Sequence, residues 1–173
     1  SMRITADLKD SIREAMDAEL VFLTTGLGEP PVRARSLVSW DHKEDPEPFE
    51  YDLEGTPCRL VYAGETRVVS EGLYRQFPRE AGYEGYIGVP LHGGAGKVSG
   101  HLAVLSRKAI TGPQEAAAII KLFAIRAEAE LLRLEHERER DSLIASLAQT
   151  NRRLQSRHSA LRQSNDTKAM LLG

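Results

Sequence analysis

The residues that could do chemistry are few and scattered. Cys58 is the single cysteine of the 173-residue chain. It follows Gly55-Thr56-Pro57 and opens a predicted short helix, Pro57 to Ala63, with Thr56 as the expected cap and Pro57 at the first helical position. A thiol at a helix N-terminus has its thiolate favoured by the local dipole, so Cys58 could serve as a redox- or metal-responsive group. A packed small hydrophobe is the plainer reading. One cysteine forms no intrachain disulfide framework, and no other Cys or His stands at metal-ligand spacing from it. His101, on a predicted strand GHLAVL, could contact a ligand or heme iron, or could sit hydrogen-bonded in or beside the sheet. His92 adjoins a glycine turn and is expected to be exposed.

The stretch HGGAGKVSG invites a phosphate-loop reading, which its spacing rejects. Leu91 stands where the first glycine of such a loop belongs, and Val98 follows Lys97 where Ser or Thr is required. Tyr74, Phe77, Tyr83 and Tyr86, with Trp40, could line a pocket with apolar bodies and polar tips, or could be core packing beneath a long loop. Arg59, Arg67 and Arg75 could pair an anionic ligand or stand solvated. The chain carries no convincing nucleophile, base and orienter in one neighbourhood, no HExxH and no dinucleotide fingerprint.

Composition narrows the classes further. A formal net charge of −2 and few aromatics leave no basic face for tracking phosphates, which argues against nucleic acid. No apolar run reaches membrane-spanning length and no signal-peptide core is present, so a soluble cytoplasmic protein, or the soluble part of a larger one, is expected, with no membrane contact in this fragment. Residues 1–4 read as a tag scar and leader, with Ser1 placed before Met2. The end at Gly173, in helical sequence, reads as a cut from something longer.

The elements that must position these residues follow from period and punctuation. Thr5 to Asp17 has Leu8, Ile12 and Met16 at fourfold spacing, an amphipathic helix with Thr5 or Asp7 near its cap. Glu19 to Thr25 and Val32 to Asp41 read as strands separated by Gly26, Gly28, Pro30 and Pro31; in the second, Leu37 and Ser39 share one face and Val38 and Trp40 the other. After the polar loop HKEDPEP come Phe49 to Leu53, the short helix, and a short strand Thr66 to Ser70. GLYRQFPREAGY is an irregular loop or short helix. Glu84 to Leu91 and Ser99 to Leu105 form a hairpin. Thr111 and Gln114 make a capping box for a last helix. This order predicts an α+β fold, an antiparallel sheet flanked by its first and last helices.

That last helix dominates the chain. From Pro113 to Leu172 no second proline and no glycine interrupt it, and at 1.5 Å per residue it is a rod on the order of 90 Å long. Leu147, Leu154 and Leu161 fall on one seam line, and Ile144, Asn151, His158 and Asn165 on the other. A polar residue in a seam fixes register and strand number, which suits a parallel homodimer. The upstream stripe Ile120, Phe123, Ala127, Leu131, Leu134 runs in another phase. Between them EHERERD is either a solvated surface stretch or a register discontinuity where two pairings compete.

GTPCRLVYAGETRVVSEGLYRQFPRE, then GYEGYIGVPLHGGAGKVSGHLAVL, then a helix with LFAIRAEAEL together resemble a GAF domain of the kind found in bacterial sensor histidine kinases and related signalling proteins. The resemblance covers residues 5–135 and is most specific at Gly55 to Cys58, Tyr86 to Leu91 and Gly100 to Val104. Residues 136–173 resemble the signalling helix that leads to a downstream output, absent here. The likeness implies a six-stranded antiparallel sheet, a ligand cavity between the sheet and its covering loops, and dimerisation through terminal helices, here Ile144, Leu147, Asn151, Leu154, His158 and Leu161. Ligand contact would fall to Trp40, Cys58, Tyr74, Phe77, Tyr83, Tyr86 and His101. The Asn-Lys, Phe, Asp-Glu signature of cyclic-nucleotide binders is missing, and Cys58 is not placed as the cysteine of bilin-binding relatives, so neither cofactor is expected. The resemblance implies a regulatory sensor module binding a small molecule or partner, and a fragment without enzymatic activity. The alternatives are a small cysteine-dependent reductase of similar fold and a purely structural dimerisation unit.

Overall fold

Both faces of the sheet are covered, and the strand sequences say so. The strand GYIGVPLH is buried at seven consecutive positions, a continuous apolar run in place of the alternation that a half-solvated strand would show. The computed structural model describes residues 10–12, 15, 16, 18–41 and 46–173. Its strands are β1 (Leu20–Leu27), β2 (Arg33–Asp41), β3 (Glu50–Asp52), β4 (Arg67–Val69), β5 (Gly85–His92) and β6 (Val98–Ser106). They form one six-stranded sheet in the order β3-β2-β1-β6-β5-β4, each neighbour antiparallel to the next. The helices are α1 (Cys58–Tyr62), α2 (Leu73–Gln76) and α3 (Pro113–Leu172), with a 3-10 turn at Pro78–Glu80. The expected α+β architecture is the one observed. Contacts divide the chain into two compact units, Ser1–Glu130 and Leu131–Gly173.

Register assigns the side chains to faces, because residues directly opposite on neighbouring strands point the same way. Leu20, Leu105, Tyr86 and Val69 form one such row, and Phe22, Ala103 and Gly88 another. Phe22, Ala34, Val69, Tyr86, Ala103 and Leu105 pack with Cys58 and Val61 of α1 and Leu73 of α2 on this inner face. The outer face carries Val21, Leu23, Trp40, Ile87, Leu102 and Val104, all buried. The buried positions of the first part of α3, Ala116, Ala117, Ile120, Ala124 and Ala127, recur at helical spacing, and the small alanines among them permit close approach to a sheet. Glu128 ties this part of the helix to β5, its Oε1 accepting from the His92 backbone N–H at 2.8 Å and lying 3.0 Å from His92 Nδ1.

A β-bulge sits where β2 meets β1. Leu23 faces Val38, but Thr24 faces Ser36, so Leu37 is the extra residue. An inserted residue reverses the alternation beyond it. Val38 and Trp40 therefore lie on the outer face, while Ser36 and Ala34 lie on the inner one.

Local expectations are corrected in two places. Thr56 does not cap α1: Pro57 holds the cap position without a side-chain bond, and the Thr56 hydroxyl donates back to the Leu53 carbonyl at 2.8 Å, closing the preceding turn. The long helix starts at Pro113, with the Ala116 N–H bonded to the Gly112 carbonyl, so Thr111 lies outside the cap position. Proline, preset in φ and lacking an N–H, takes the first helical position instead. The helix expected over Thr5 to Asp17, with its Thr5 or Asp7 cap, lies largely outside the described residues, of which 10–12 and 15 are helical. Part of the loop HKEDPEP, residues 42–45, lies outside them too.

Gly100, on β6 between Thr25 and Leu91, is required by close approach. A Cβ there would stand 2.0 Å from the Thr24 carbonyl oxygen, a backbone atom that cannot swing aside. Gly100→Ala is expected to destabilise the fold by about 3 kcal/mol, the upper end for overpacking. Gly93→Ala, whose Cβ would meet the Ser99 Cβ at 3.3 Å, Ser99 Oγ at 3.5 Å and the Lys97 carbonyl at 3.9 Å, should cost well under half as much. Urea denaturation of both variants checks this; equal midpoints would contradict the strand contact.

Candidate ligand-binding site

The inner face is a bowl of rings, and the backbone explains why. Along the row Phe22, Ala103, Gly88 the side chains shrink from a ring to a methyl to nothing, leaving a hollow on the sheet. Tyr86 and α1 fill it: a Cβ on Gly88 would lie 2.2 Å from the Tyr86 hydroxyl and 2.7 Å from Val61 Cγ2. Around Phe22 stand Phe49 at 5.9 Å, Tyr51 at 6.2 Å and His101 at 5.6 Å between ring centroids, all edge-to-face. Tyr62 reaches over from α1 to lie 5.2 Å from the His101 ring.

Polar atoms within this bowl are sparse and specific. The Tyr86 hydroxyl donates to Cys58 Sγ at 3.3 Å. Thr24 Oγ1 lies 2.8 Å from the Tyr62 hydroxyl and 2.5 Å from His101 Nδ1. Thr24 and His101 are paired across β1 and β6, and both are fully buried. His101 Nε2 and the Tyr51 hydroxyl are buried with no hydrogen-bond partner among the described residues. Burial alone lowers the His101 pKa to about 3, so the imidazole is neutral at physiological pH. Burial raises the phenols of Tyr51, Tyr62 and Tyr86. Glu80, beside the bowl, is raised in turn by its own burial.

Cys58 shows how tertiary context overrides a local rule. A helix N-terminus should lower its pKa, but α1 has only five residues, and burial pushes the thiol up to about 11. The thiolate is therefore scarce at neutral pH. Alkylation of native protein by iodoacetamide at pH 8 is expected to run at least about 100-fold slower than in urea, from two pKa units of lost thiolate plus exclusion of the reagent. A native rate within threefold of the unfolded one would mean that Cys58 is accessible and activated.

Of the residues the sequence offers for ligand contact, Cys58, Tyr86 and His101 come together on the inner face, and Phe77 and Tyr83 pack half-buried at its margin. Trp40 and Tyr74 do not join them. Trp40 pairs with Val21 on the outer face. Tyr74 is 38% exposed, with the Arg75 guanidinium 5.6 Å over its ring, because only Leu73 of α2 turns inward. Arg59 lies on the surface, bonded to Glu54 at 2.6 Å. Sequence reading missed Phe22, Thr24, Phe49, Tyr51 and Tyr62. The alternation of β1 could have grouped Leu20, Phe22 and Thr24, but not assigned their face. Clefts of about 410 Å³ open elsewhere, one beside Met16, Lys108 and Glu115 and one beside Val68, Gln114 and Lys121. Neither is lined by the ring bowl. Among the described residues, no group of three His, Cys, Asp or Glu side chains could hold a metal ion, and no helix is long and apolar enough to cross a membrane.

No family model matches the chain, and no curated protein matches it in sequence. Solved structures match it in fold. The GAF domain of a two-component sensor histidine kinase from Bacillus halodurans is 10% identical and superposes with a TM-score of 0.59 over 78% of this chain and 95% of its own. The chromophore-binding domain of a bacteriophytochrome from R. palustris is 9% identical, with a TM-score of 0.61 over 76% of this chain and 54% of the other. A type II free methionine-R-sulfoxide reductase from Thermoplasma acidophilum is 15% identical, with a TM-score of 0.53 over 70% and 86%. At such identities the likeness is one of architecture, and a fold hosts many functions. With its six antiparallel strands, ringed inner face and long closing helix, this chain has the fold of a GAF domain.

Proposed function

We propose that this chain is a regulatory sensor module of a bacterial signal-transduction protein, with a histidine kinase as the expected output. In this reading the inner face of the sheet receives a small molecule or partner, and a parallel dimeric coiled coil carries the change onward. The observation that carries it is α3 itself. One helix supplies the buried residues Ala116 to Ala127 and then continues to Leu172, where Ile144, Leu147, Leu154 and Leu161 are 57–68% exposed in the single chain. An apolar heptad line so exposed calls for a second helix, and Asn151 and His158 in the alternate seam favour an in-register copy of the same chain.

Light scattering on the full chain is expected to give twice its 19.2 kDa mass, and the fragment 1–135 should associate more weakly. A full chain that stays monomeric at high micromolar concentration would sink the dimeric reading. The reductase reading has the fold likeness to a free methionine-R-sulfoxide reductase behind it, but it needs an accessible thiol, whereas Cys58 is buried and protonated. A covalent chromophore at Cys58 meets the same obstacle. The proposed setting is the cytoplasm.

A further inference from the structure

His101 Nε2 is one of four buried side-chain polar atoms without a hydrogen-bond partner among the described residues, with Trp40 Nε1, Tyr51 Oη and Arg67 Nε, and it belongs to a fully buried residue on the inner face. Buried polar groups nearly always have partners, and an orphan costs stability that folding must recover elsewhere. The hydroxyl chain beside it bears on what the atom is, and Thr24 Oγ1 can give its one proton either to Nδ1 at 2.5 Å or to the His101 carbonyl at 3.5 Å. If the Tyr62 hydroxyl donates to Thr24 Oγ1 and Thr24 donates to His101 Nδ1, each proton is used once, with the more acidic phenol as first donor. Nδ1 then accepts, and the proton of the neutral ring sits on Nε2. In that arrangement Nε2–H is a buried donor without an acceptor among the described residues, beside the rings of Phe22 and Tyr62.

The geometry points to a binding site on the inner face for a neutral, planar, largely apolar molecule that presents a hydrogen-bond acceptor, a ring nitrogen or carbonyl, to His101 Nε2–H. This rests on the sensor reading above and names its ligand class. Planarity and apolar character follow from the rings that would sandwich the guest. Neutrality follows from the neutral imidazole, which offers no charge to pair with a charged guest. Phe49 and Tyr51 are the rings that must swing aside. They are half-buried, at or beside the three-residue edge strand β3. The backbone there is tied to β2 by strand pairing and by Ser36, whose N–H donates to the Phe49 carbonyl at 2.9 Å and whose Oγ accepts from the Phe49 N–H at 2.8 Å, so the two rings, and not the strand, would have to move.

The test uses the full chain and three probes of equal shape class: quinoline (acceptor), naphthalene (neither) and indole (donor). Ring nitrogen shifts of 15N-labelled histidine should place the His101 proton on Nε2 in the free protein. Quinoline should bind on the order of tenfold more tightly than naphthalene or indole, the factor for one buried hydrogen bond, and should shift the Nε2 resonance. In His101→Phe, which fills the same space without polar atoms, the quinoline preference should vanish while naphthalene binding persists. A proton found on Nδ1, or a preference retained in His101→Phe, overturns the inference. Equal binding of quinoline and naphthalene also overturns it, leaving an apolar sensor pocket. No binding of quinoline at about 1 mM removes the site from this face. Failure of the sensor reading itself would show separately, as a monomeric full chain in light scattering.

Discussion

Unfolding free energy should fall steeply as the pH drops from 6.5 toward 3, and His101→Phe should remove much of that fall. The folded state holds the imidazole neutral with its pKa lowered to about 3 from 6.5. The unfolded chain takes up a proton below 6.5, so its protonation pulls the equilibrium toward unfolding. The sign is that of a depressed folded pKa: the stability is fully present above 6.5 and is lost as pH falls through that window. The slope approaches about 1.4 kcal/mol per pH unit, which accumulates to several kcal/mol before the folded ring itself protonates. Urea denaturation at a series of pH values between 7 and 4 measures both slopes. Carboxylates contribute equally to the two proteins, so the difference reports His101. Parallel slopes would mean that the ring is accessible or already paired in the folded state.

Leu154→Asp should separate the proposed dimer while leaving the ring bowl folded. Leu154 is 59% exposed in the single chain and occupies the middle of the Leu147, Leu154, Leu161 line. Burying such a side chain is worth about 1.5–3 kcal/mol per copy, and the variant would instead place two like carboxylates opposite each other in a seam. A dissociation constant at least about 100-fold weaker follows. Sedimentation equilibrium measures it, and near-ultraviolet circular dichroism of Trp40 and the inner-face tyrosines should be unchanged. Undiminished association would place the dimer contact elsewhere, and a lost aromatic signal would show that the rod supports the fold of the sheet.

Architecture was legible because it rests on patterns that a chain carries locally. Apolar runs bounded by Gly and Pro locate β1, β2, β5 and β6 within two residues, and a chain free of helix breakers after Pro113 can only continue as helix. The antiparallel α+β class follows from the order of those elements and the short connections between them. Local cap chemistry was less secure. Thr56 had a nearer carbonyl to satisfy, at Leu53, and proline outcompeted Thr111 for the start of α3.

The site was decided by tertiary structure. Even-numbered residues of β2 would share one face under simple alternation, yet the bulge at Leu37 sends Trp40 outward and Ser36 and Ala34 inward. No periodicity in the sequence marks that slip, because it is set by pairing with β1. The rings that gather around Phe22 come from β1, β3 and the approach to it, α1 and β6, segments up to 79 residues apart from Phe22 to His101, and only the strand order brings them to one hollow. Even the character of the two residues that the sequence marked most clearly was fixed by folding. Cys58 and His101 are titratable groups by type, but desolvation in the assembled core holds both neutral, and desolvation is a property of surroundings that a linear chain does not carry.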